Sequence, residues 1–158
     1  MSTIIVIAAV SENNVIGKGG KLPWNIPEDL QRFRQLTLHS PVIMGRKTYE
    51  SLPVKPLKDR TNIVLTRDKN YSPRGCIVKH SLQDALEYCK QYGKVFIIGG
   101  QSVFEEGMKI ADVVELTRVH KNYDGDAFFP EMVPDEWAVK AEEKKDGFSF
   151  LTYARRRN

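Results

Sequence analysis

The sequence of 158 residues predicts an α/β fold in a single domain over residues 1–158, built on a central, mostly parallel sheet. Three observations lead to this class. Short apolar runs rich in β-branched residues recur along the chain, helical patterns lie between most of them, and the last two strand-like runs flank a turn. Alternating strands and helices are typical of parallel sheets that helices cover on both faces. We therefore expect about four flanking helices and a C-terminal antiparallel hairpin.

The strands are predicted from short apolar runs. The first, at residues 4–10, is continuously apolar, which is the pattern of a strand buried on both faces. Similar runs follow at residues 41–44, 62–66, 76–78, 95–98 and 113–119. The closing hairpin is predicted from residues 137–141 and 148–154, which flank the turn-forming Lys145-Asp146-Gly147.

The helices are predicted from apolar positions at helical spacing and from end signals. They span residues 28–38, 46–52, 81–92 and 101–108. Pro27 introduces the first helix, and Ser81 is placed as the N-cap of the third. Two loops, 13–25 and 53–60, contain too much Gly, Pro or charge to be mere connectors. Ligands of parallel sheets bind where such loops gather.

The charge is unevenly distributed. Lysine and arginine outnumber aspartate and glutamate by 24 to 20, and residues 1–80 carry a formal charge of +7 against −3 for 81–158. We expect an anionic ligand at the basic half, although charge alone does not separate a nucleic acid from a small phosphate. Cys76 and Cys89 form no Cys-x-x-Cys pair and are interpreted as reduced thiols of a cytoplasmic protein, with one bridge left open. The first apolar run is too short and wrongly flanked for a signal peptide or membrane span.

Several familiar chemistries are excluded by the motifs. The chain has neither a Gly-x-x-x-x-Gly-Lys-Ser/Thr loop nor a Gly-x-Gly-x-x-Gly fingerprint. Residues 100–104 begin like a hydrolase nucleophile elbow but end in Phe where the turn needs Gly. His39, His80 and His120 lie about 40 residues apart with no helical ligand pair, so no metal site is expected.

Asp29 allows two interpretations. It lies in the first turn of the first predicted helix, and Phe33 follows one turn later on the same face, so the carboxylate borders an apolar stripe. It is either a solvated acid that complements the helix dipole, or a lone carboxylate in an apolar pocket. In the second case its pKa is raised and it binds a cationic or amidine-like group.

Two strand–helix junctions contain glycine. Gly99-Gly100 separates one strand from the helix that follows, and Gly45-Arg46-Lys47-Thr48 occupies the same position after an earlier strand. Glycine lets the backbone approach a ligand closely, and amides at the start of a helix can hold a phosphate. Arg67 adds a cation at a third strand end. Together these features favour a dinucleotide bound across the sheet.

With these residues in view, the whole chain resembles dihydrofolate reductase. The motifs occur in the family's order, and Leu22-Pro23-Trp24 followed by Asp29 is the most specific; Asp rather than Glu there resembles the bacterial branch. The matching pieces are residues 7–9, 15–17, 22–30, 42–51, 56–57, 60–62, 97–100, 116–117 and 125–130. The resemblance implies an oxidoreductase acting on a CH–NH group with NADP. Such an enzyme reduces 7,8-dihydrofolate to 5,6,7,8-tetrahydrofolate with NADPH and supports one-carbon metabolism.

For the substrate, the resemblance implies that Asp29 binds the 2-amino and N3 edge of the pterin and that Thr117 orients it. Arg60 would bind the α-carboxylate of the glutamate tail, in a fork geometry that lysine does not reproduce. The other substrate-binding residues would be Ile7, Leu30, Phe33, Leu52, Leu57, Ile98 and Phe104. Water would bring a proton to N5 past Leu22 and Trp24, which complete the catalytic set with Asp29 and Thr117.

For the cofactor, the resemblance implies hydride transfer from C4 of NADPH to C6 of dihydrofolate. The nicotinamide end would be lined by Ala9, Ile16, Gly17 and Gly20. The phosphates would be held by Gly45, Arg46, Lys47, Thr48, Gly99, Gly100, Gln101, Ser102, Val103 and Phe104. Arg67, together with His80, would face the adenosine 2′-phosphate and favour NADPH over NADH, with Leu65 and Thr66 beside them.

The sequence departs from the family's pattern at three places. The loop before Arg60 reads Val54-Lys55-Pro56-Leu57-Lys58-Asp59 where many members have Gly-Arg-Pro-Leu-Pro-Gly, which leaves its path and the role of Lys55 open. Phe104 stands where many members have Tyr, so no phenol lies beside the nicotinamide. Ser102 stands where some members have a cation, which leaves more of the 2′-phosphate contact to Arg46 and Arg67.

Two alternatives stand beside this interpretation. A pyrimidine reductase of riboflavin synthesis would keep the NADPH-binding glycines but has no need for Asp29 or Arg60. A nucleic-acid-binding module would use the basic half and Arg155-Arg156-Arg157, but such modules usually interleave aromatic residues with their cations. We therefore expect dihydrofolate and antifolate inhibitors as ligands, no nucleic-acid or membrane partner, and a monomer.

Overall fold

A computed structural model describes residues 2–157 and contains ten strands and four α-helices in that range. The strands are β1 (Thr3–Ser11), β2 (Val15–Gly17), β3 (Pro41–Gly45), β4 (Thr61–Leu65), β5 (Cys76–Lys79), β6 (Lys94–Ile97), β7 (Val113–Val119), β8 (Ala127–Phe128), β9 (Trp137–Lys144) and β10 (Phe148–Arg155). The helices are α1 (Pro27–Thr37), α2 (Arg46–Ser51), α3 (Leu82–Tyr88) and α4 (Gln101–Gly107). The longest, α1, has 11 residues, and no helix within residues 2–157 is long and apolar enough to cross a membrane.

Eight strands form one sheet in the order β5-β4-β3-β6-β1-β7-β10-β9. The neighbours from β5 to β7 are parallel, whereas β7, β10 and β9 pair antiparallel. The predicted α/β class, mostly parallel sheet and C-terminal hairpin are thus confirmed. The chain moves outward from β1 to β5 and then returns to insert β6 between β3 and β1. Ligands of open parallel sheets bind beside the carboxyl ends of the strands at such a reversal.

Two apolar clusters form the core, one on each face of the sheet. Along β1, Ile5 and Ile7 belong to one cluster, together with side chains of α1 and α2. Val6 and Val10 belong to the other, together with side chains of α3 and α4. Because both faces are covered, β1 needs apolar residues at consecutive positions, which is why its sequence does not alternate. Burying each large aliphatic side chain stabilises the fold by about 1.5–3 kcal/mol.

The structure corrects several predicted boundaries. The third helix is shorter than predicted: Ser81 is its N-cap, with Oγ accepting from the amide of Asp84 at 3.1 Å, and a 3₁₀ turn at Cys89–Gln91 replaces its last residues. The strands β2 and β8 were not predicted. They form a separate antiparallel pair of three and two residues, which is too short to produce a periodic pattern.

Candidate active site

Asp29 is held between α1 and β7. Pro27 is at the first helical position of α1, which places Asp29 in the first turn, where it is partly buried. Thr117 on β7, itself only 2% exposed, donates a hydrogen bond from Oγ1 to Asp29 Oδ1 at 2.6 Å. Burial raises the pKa of the Asp29 carboxyl, and the Thr117 hydrogen bond and the charge of Arg32 act against this rise. Partial burial and a raised pKa are what the second interpretation of Asp29 predicts, while its binding role stays a prediction.

The apolar residues predicted beside the pterin come together on the α1 face of the sheet. One cluster contains five of them, which are Ile7, Phe33, Leu52, Leu57 and Ile98. Leu30 on α1 is 56% exposed and Leu22 in the preceding loop is 46% exposed, so both present apolar surface outside the packed core. Phe104 belongs to the opposite cluster, where its ring contacts Phe129 edge-on at 5.2 Å. Its predicted contact with substrate stays a prediction.

Arg60 lies at the end of α1 next to a second guanidinium. Its Nε donates to the carbonyl of Lys58 at 2.9 Å and its Nη1 to Thr37 Oγ1 at 3.2 Å. Partial burial and the neighbouring charge of Arg34 both lower the pKa of Arg60, while Asp59 acts in the opposite direction. Two cations side by side favour an anion between them, because it removes their repulsion.

The loop before Arg60 is held by Asn62, a residue that sequence reasoning missed. Asn62 Oδ1 accepts from the amide of Leu57 and its Nδ2 donates to the carbonyl of Leu57, both at 2.9 Å. This buried amide fixes Leu57 against the apolar cluster. Lys55 donates to the carbonyl of Glu50 at 2.7 Å. The available signal was a polar residue inside an otherwise apolar strand, since a buried side-chain amide needs partners.

The two glycine junctions meet at the carboxyl edge of the sheet. The amide of Gly45 donates to the carbonyl of Gly99 at 2.8 Å, and the peptide bond between Gly99 and Gly100 is cis. A Cβ at Gly99 would lie 2.9 Å from the Phe104 ring, and one at Gly100 would lie 3.1 Å from Thr48 Oγ1. Val103 packs 3.4 Å from the Cβ position of Gly45. These Cβ positions face the protein's own side chains, so a larger residue at Gly99 or Gly100 would disturb the packing of Phe104 or Thr48.

The cations predicted at the strand ends differ in how they are engaged. Arg46 pairs with Glu50 at 3.3 Å and Asp68 at 3.1 Å, and its guanidinium lies 4.0 Å from the ring centre of Tyr71. The other two cations, Lys47 and Arg67, are exposed, and so is Ser102, which stands where some family members have a cation. Arg67 forms no ion pair within the described residues 2–157. The three partners of Arg46 were missed; the spacing of Arg46 and Glu50, four residues apart on a helix, could have indicated the first.

His80 is oriented by the neighbouring strand. Its Nδ1 lies 2.8 Å from the carbonyl oxygen of Thr66, just after β4 and beside Leu65. Because a carbonyl oxygen only accepts hydrogen bonds, His80 donates from Nδ1 in this contact. The structure thus brings His80 and Thr66 together, directly before Arg67.

The loop at 13–25 follows β1 and packs near residues 123–129. Within it, Ile16 and Gly17 belong to β2, while Gly20 has a positive φ of 82° in a turn where Lys18 and Lys21 exchange backbone hydrogen bonds. Trp24 packs on Tyr123 with ring centres 5.1 Å apart, and its indole N–H is buried without a hydrogen-bond partner among residues 2–157. Such a buried donor points to an acceptor outside the chain.

Two further contacts hold the segment around β8, one from α4 and one from this loop. The side-chain oxygen of Gln101 accepts from the amide of Phe128 at 2.8 Å, and Asp126 accepts from the amide of Gly19 at 3.1 Å. Ala9, on β1, is partly buried next to this region of the sheet. Tyr123 and Asp126 were missed as contacts of the loop, because a separation of about 100 residues leaves no local signal.

Comparison with known proteins identifies this arrangement. The sequence model of the family "Dihydrofolate reductase" matches residues 3–155. The chain belongs to the dihydrofolate reductase family. The dihydrofolate reductase of Neisseria meningitidis serogroup A is 40% identical over 161 residues, covering 98% of this chain and 99% of that protein. The Bacillus subtilis enzyme is 36% identical over 160 residues, with 97% and 95% covered.

A solved structure agrees with this membership. The dihydrofolate reductase from Enterococcus faecalis, complexed with NADP(H) and RAB-propyl, has a TM-score of 0.90 and 37% identity, covering 98% of this chain and 97% of that one. The predicted activity, NADPH-dependent reduction of dihydrofolate, and the predicted cofactor are confirmed by these dihydrofolate reductase matches. The roles of individual site residues stay predictions.

Proposed function

We propose that Asp29 binds the pterin of dihydrofolate and holds it for reduction. The proposal rests on the pair Asp29–Thr117, a shielded carboxylate beside an apolar cluster and hydrogen-bonded to a buried hydroxyl. The Thr117 bond occupies one acceptor site of Oδ1 and leaves Oδ2 free for a second donor. A carboxylate held in this way can accept two parallel N–H bonds from the 2-amino and N3 edge of a pterin. Ile7, Phe33 and Leu57 would contact the flat ring.

The same residues account for protonation at N5. When bound, NADPH supplies the hydride that C6 of dihydrofolate accepts. Burial raises the pKa of Asp29, so the carboxyl–pterin pair holds a proton up to a higher pH than an exposed aspartate would. The indole N–H of Trp24 would hold an acceptor beside this pair, such as the water that passes a proton to N5. Leu22 would cover the reacting atoms and limit the entry of bulk water.

The glycine junctions fit a dinucleotide. Gly45, Gly99 and Gly100 let the two junctions pack closely together, and the diphosphate would lie beside their backbone and the hydroxyl of Thr48. Gln101, Ser102 and Val103 continue this turn. The nicotinamide end would lie against Ala9, Ile16, Gly17 and Gly20, near the Leu22–Trp24 segment.

Charged residues at the two ends of the proposed site would bind the remaining anionic groups. Arg60 has N–H donors left after its bonds to Lys58 and Thr37, and these would bind the α-carboxylate of the glutamate tail. At the other end, Arg67, with His80 and Thr66, would bind the adenosine 2′-phosphate. Arg46 and Lys47 would lie beside them.

The role of Asp29 is tested by Asp29→Asn. This variant keeps the shape and the acceptor for Thr117 but cannot carry the charge or the proton. We expect turnover with dihydrofolate and NADPH at neutral pH to fall by about 100-fold or more. The affinity for NADPH is expected to change by less than about threefold, since its site is built from other residues. Absorbance of the reduced nicotinamide reports turnover.

Glu28→Gln is the matched control, because Glu28 lies in the same first turn of α1 but is exposed and pairs with Lys145. It is expected to keep turnover within about threefold of the unmodified enzyme. Unchanged turnover in Asp29→Asn would refute the assignment, and equal losses in both variants would indicate general damage to α1.

We also propose that the enzyme acts as a monomer in the cytoplasm. Family membership and the two free thiols, Cys76 and Cys89, support this location. Cys89 is buried, and burial raises its pKa to about 11, so it stays an unreactive thiol. Sedimentation of the purified protein at micromolar concentration tests the monomer: a larger species would contradict it.

A further inference from the structure

A second polar pair joins α1 to β7 beside Asp29. Arg32 follows Asp29 by three residues on α1, and Glu115 precedes Thr117 by two residues on β7, so each lies on the same side of its element as its neighbour. Arg32 Nη2 and Glu115 Oε1 are 3.2 Å apart. Thr152 on β10, opposite Glu115 in the ladder, donates to the same oxygen at 2.5 Å. The pairs Asp29–Thr117 and Arg32–Glu115 are therefore neighbours in one interface between α1 and β7.

This second pair is shielded from water. The side chains of Arg32 and Glu115 are 21% and 15% exposed, and the guanidinium of Arg32 lies 4.5 Å from the ring centre of Phe150. Phe150 is the β10 residue opposite Thr117, so its ring is part of the same layer. Charges in such a layer interact more strongly than charges on the surface, because less water and salt screen them.

We infer that Arg32 and Glu115 are positioning residues that set how tightly Asp29 holds its proton, and that they act in opposite directions. The positive charge of Arg32 favours the carboxylate form of Asp29. Glu115 pairs with Arg32 and so weakens this effect. This inference rests on the proposed role of Asp29 in catalysis.

The other charges around Asp29 are more exposed. Glu28, also on α1, pairs with Lys145 of the β9–β10 hairpin at 3.2 Å, and Lys145 pairs with Glu143 at 2.8 Å. Thr117 is the polar contact from β7, and Trp24 is uncharged. In the described part of the chain, Arg32 is the charge that acts on the pKa of Asp29, in the lowering direction. Substitutions in the pair Arg32–Glu115 should therefore shift the pKa of the Asp29 carboxyl.

The signs follow from the charges. Replacing Arg32 removes the cation and leaves Asp29 near the negative Glu115, so the proton should be held more tightly. Replacing Glu115 by Gln leaves Arg32 uncompensated, so the proton should be lost more easily. A purely structural role predicts something else: both variants would lose stability and rate, and neither would shift the pH dependence in a direction set by its charge.

The experiment measures single-turnover oxidation of NADPH by dihydrofolate from about pH 5 to about pH 9. The rate should fall with rising pH as Asp29 loses its proton. We expect Arg32→Gln to move the midpoint of this fall upward by about 0.5–1 pH unit and Glu115→Gln to move it downward by a similar amount. Arg32→Lys keeps the charge and should stay within about 0.2 units of the unmodified enzyme.

Lys145→Gln is the matched control, because it removes a nearby but more exposed cation, and it should also leave the midpoint within about 0.2 units. Thermal unfolding checks that each variant is folded. If Arg32→Gln does not fold, the downward shift in Glu115→Gln and the retained midpoint in Arg32→Lys remain decisive. Shifts in the same direction, or none, would overturn the inference.

Asp29→Asn separates this inference from the proposed function. The pH-dependent fall in rate should disappear from its residual activity. If the fall persists in Asp29→Asn, the assignment of Asp29 itself is wrong. If it disappears there but stays unshifted in Arg32→Gln and Glu115→Gln, only the role of the second pair is wrong.

Discussion

The two sides of the proposed cleft hold their charges differently. On the pterin side, Asp29 and Arg32 of α1 meet Thr117 and Glu115 of β7 in a shielded contact. At the cofactor edge, Lys47 and Arg67 are exposed, and Arg46 is already paired with acids. Interactions between charges weaken as water and salt screen them. Charge-removing substitutions should therefore have larger effects at the shielded, preorganised side than at the exposed edge.

Arg60→Leu should have the largest effect among the binding variants. Arg60 is held by Lys58 and Thr37, so its free N–H donors are already directed when a carboxylate arrives. Loss of this contact should raise the Michaelis constant for dihydrofolate by roughly 30-fold to 1,000-fold, equivalent to about 2–4 kcal/mol. Steady-state kinetics with saturating NADPH measures the change.

A pterin without the glutamate tail is the control for Arg60→Leu, because it has no carboxylate to lose. Its Michaelis constant should change by less than about threefold. An equal loss with both substrates would show that Arg60 supports the cleft rather than the tail.

Arg67→Ala should have a smaller effect, confined to cofactor choice. Arg67 is exposed and forms no ion pair within residues 2–157, so its charge is available to a 2′-phosphate. We expect the preference for NADPH over NADH to fall by about 10-fold, and the effect to shrink as salt is added. The ratio of kcat/KM for the two cofactors measures it.

Arg46→Ala compares a paired arginine with the unpaired Arg67 at the same edge of the sheet, within residues 2–157. Because Glu50 and Asp68 already balance its charge, its removal should change the cofactor ratio by only about threefold. A larger change than in Arg67→Ala would mean that a bound phosphate displaces those acids, and the ranking of the two arginines would be reversed.

The smallest expected effect is a gain in stability in Asp29→Asn. The pKa of Asp29 is raised in the folded state, mainly by burial, so its contribution to stability is present below the unfolded pKa and is lost as pH rises through the folded pKa. At neutral pH the variant should therefore unfold about 2–4 °C higher than the unmodified enzyme, equivalent to about 1 kcal/mol. In acid the difference should vanish.

Thermal unfolding at both pH values tests this gain. Glu105→Gln, at an exposed position of α4, is the control and should show no such pH-dependent difference. A variant that is less stable at neutral pH would show that the ionised Asp29 stabilises the fold. In that case Thr117 and Arg32 would affect the Asp29 pKa more than burial does.

Much of the fold was predictable from local pattern. The continuous apolar run of β1, the Pro27 start of α1 and the Ser81 cap each depend on residues within one turn or one strand. The partners of Arg46 were harder to predict from the sequence. Glu50 lies one helical turn away, but Asp68 and Tyr71 reach Arg46 only because β3 and β4 are neighbours in the sheet.

By itself, the sequence determined which side chains could do the chemistry: an acid beside the apolar stripe of the first helix, glycines at two strand ends, and arginines next to the strand ends. The tertiary structure decided which of these meet and how far water is excluded. Asp29 and Thr117 are 88 residues apart along the chain, and so are brought together only by the sheet order. Burial, and with it the strength of every charge interaction, depends on packing of distant segments, which no local spacing encodes.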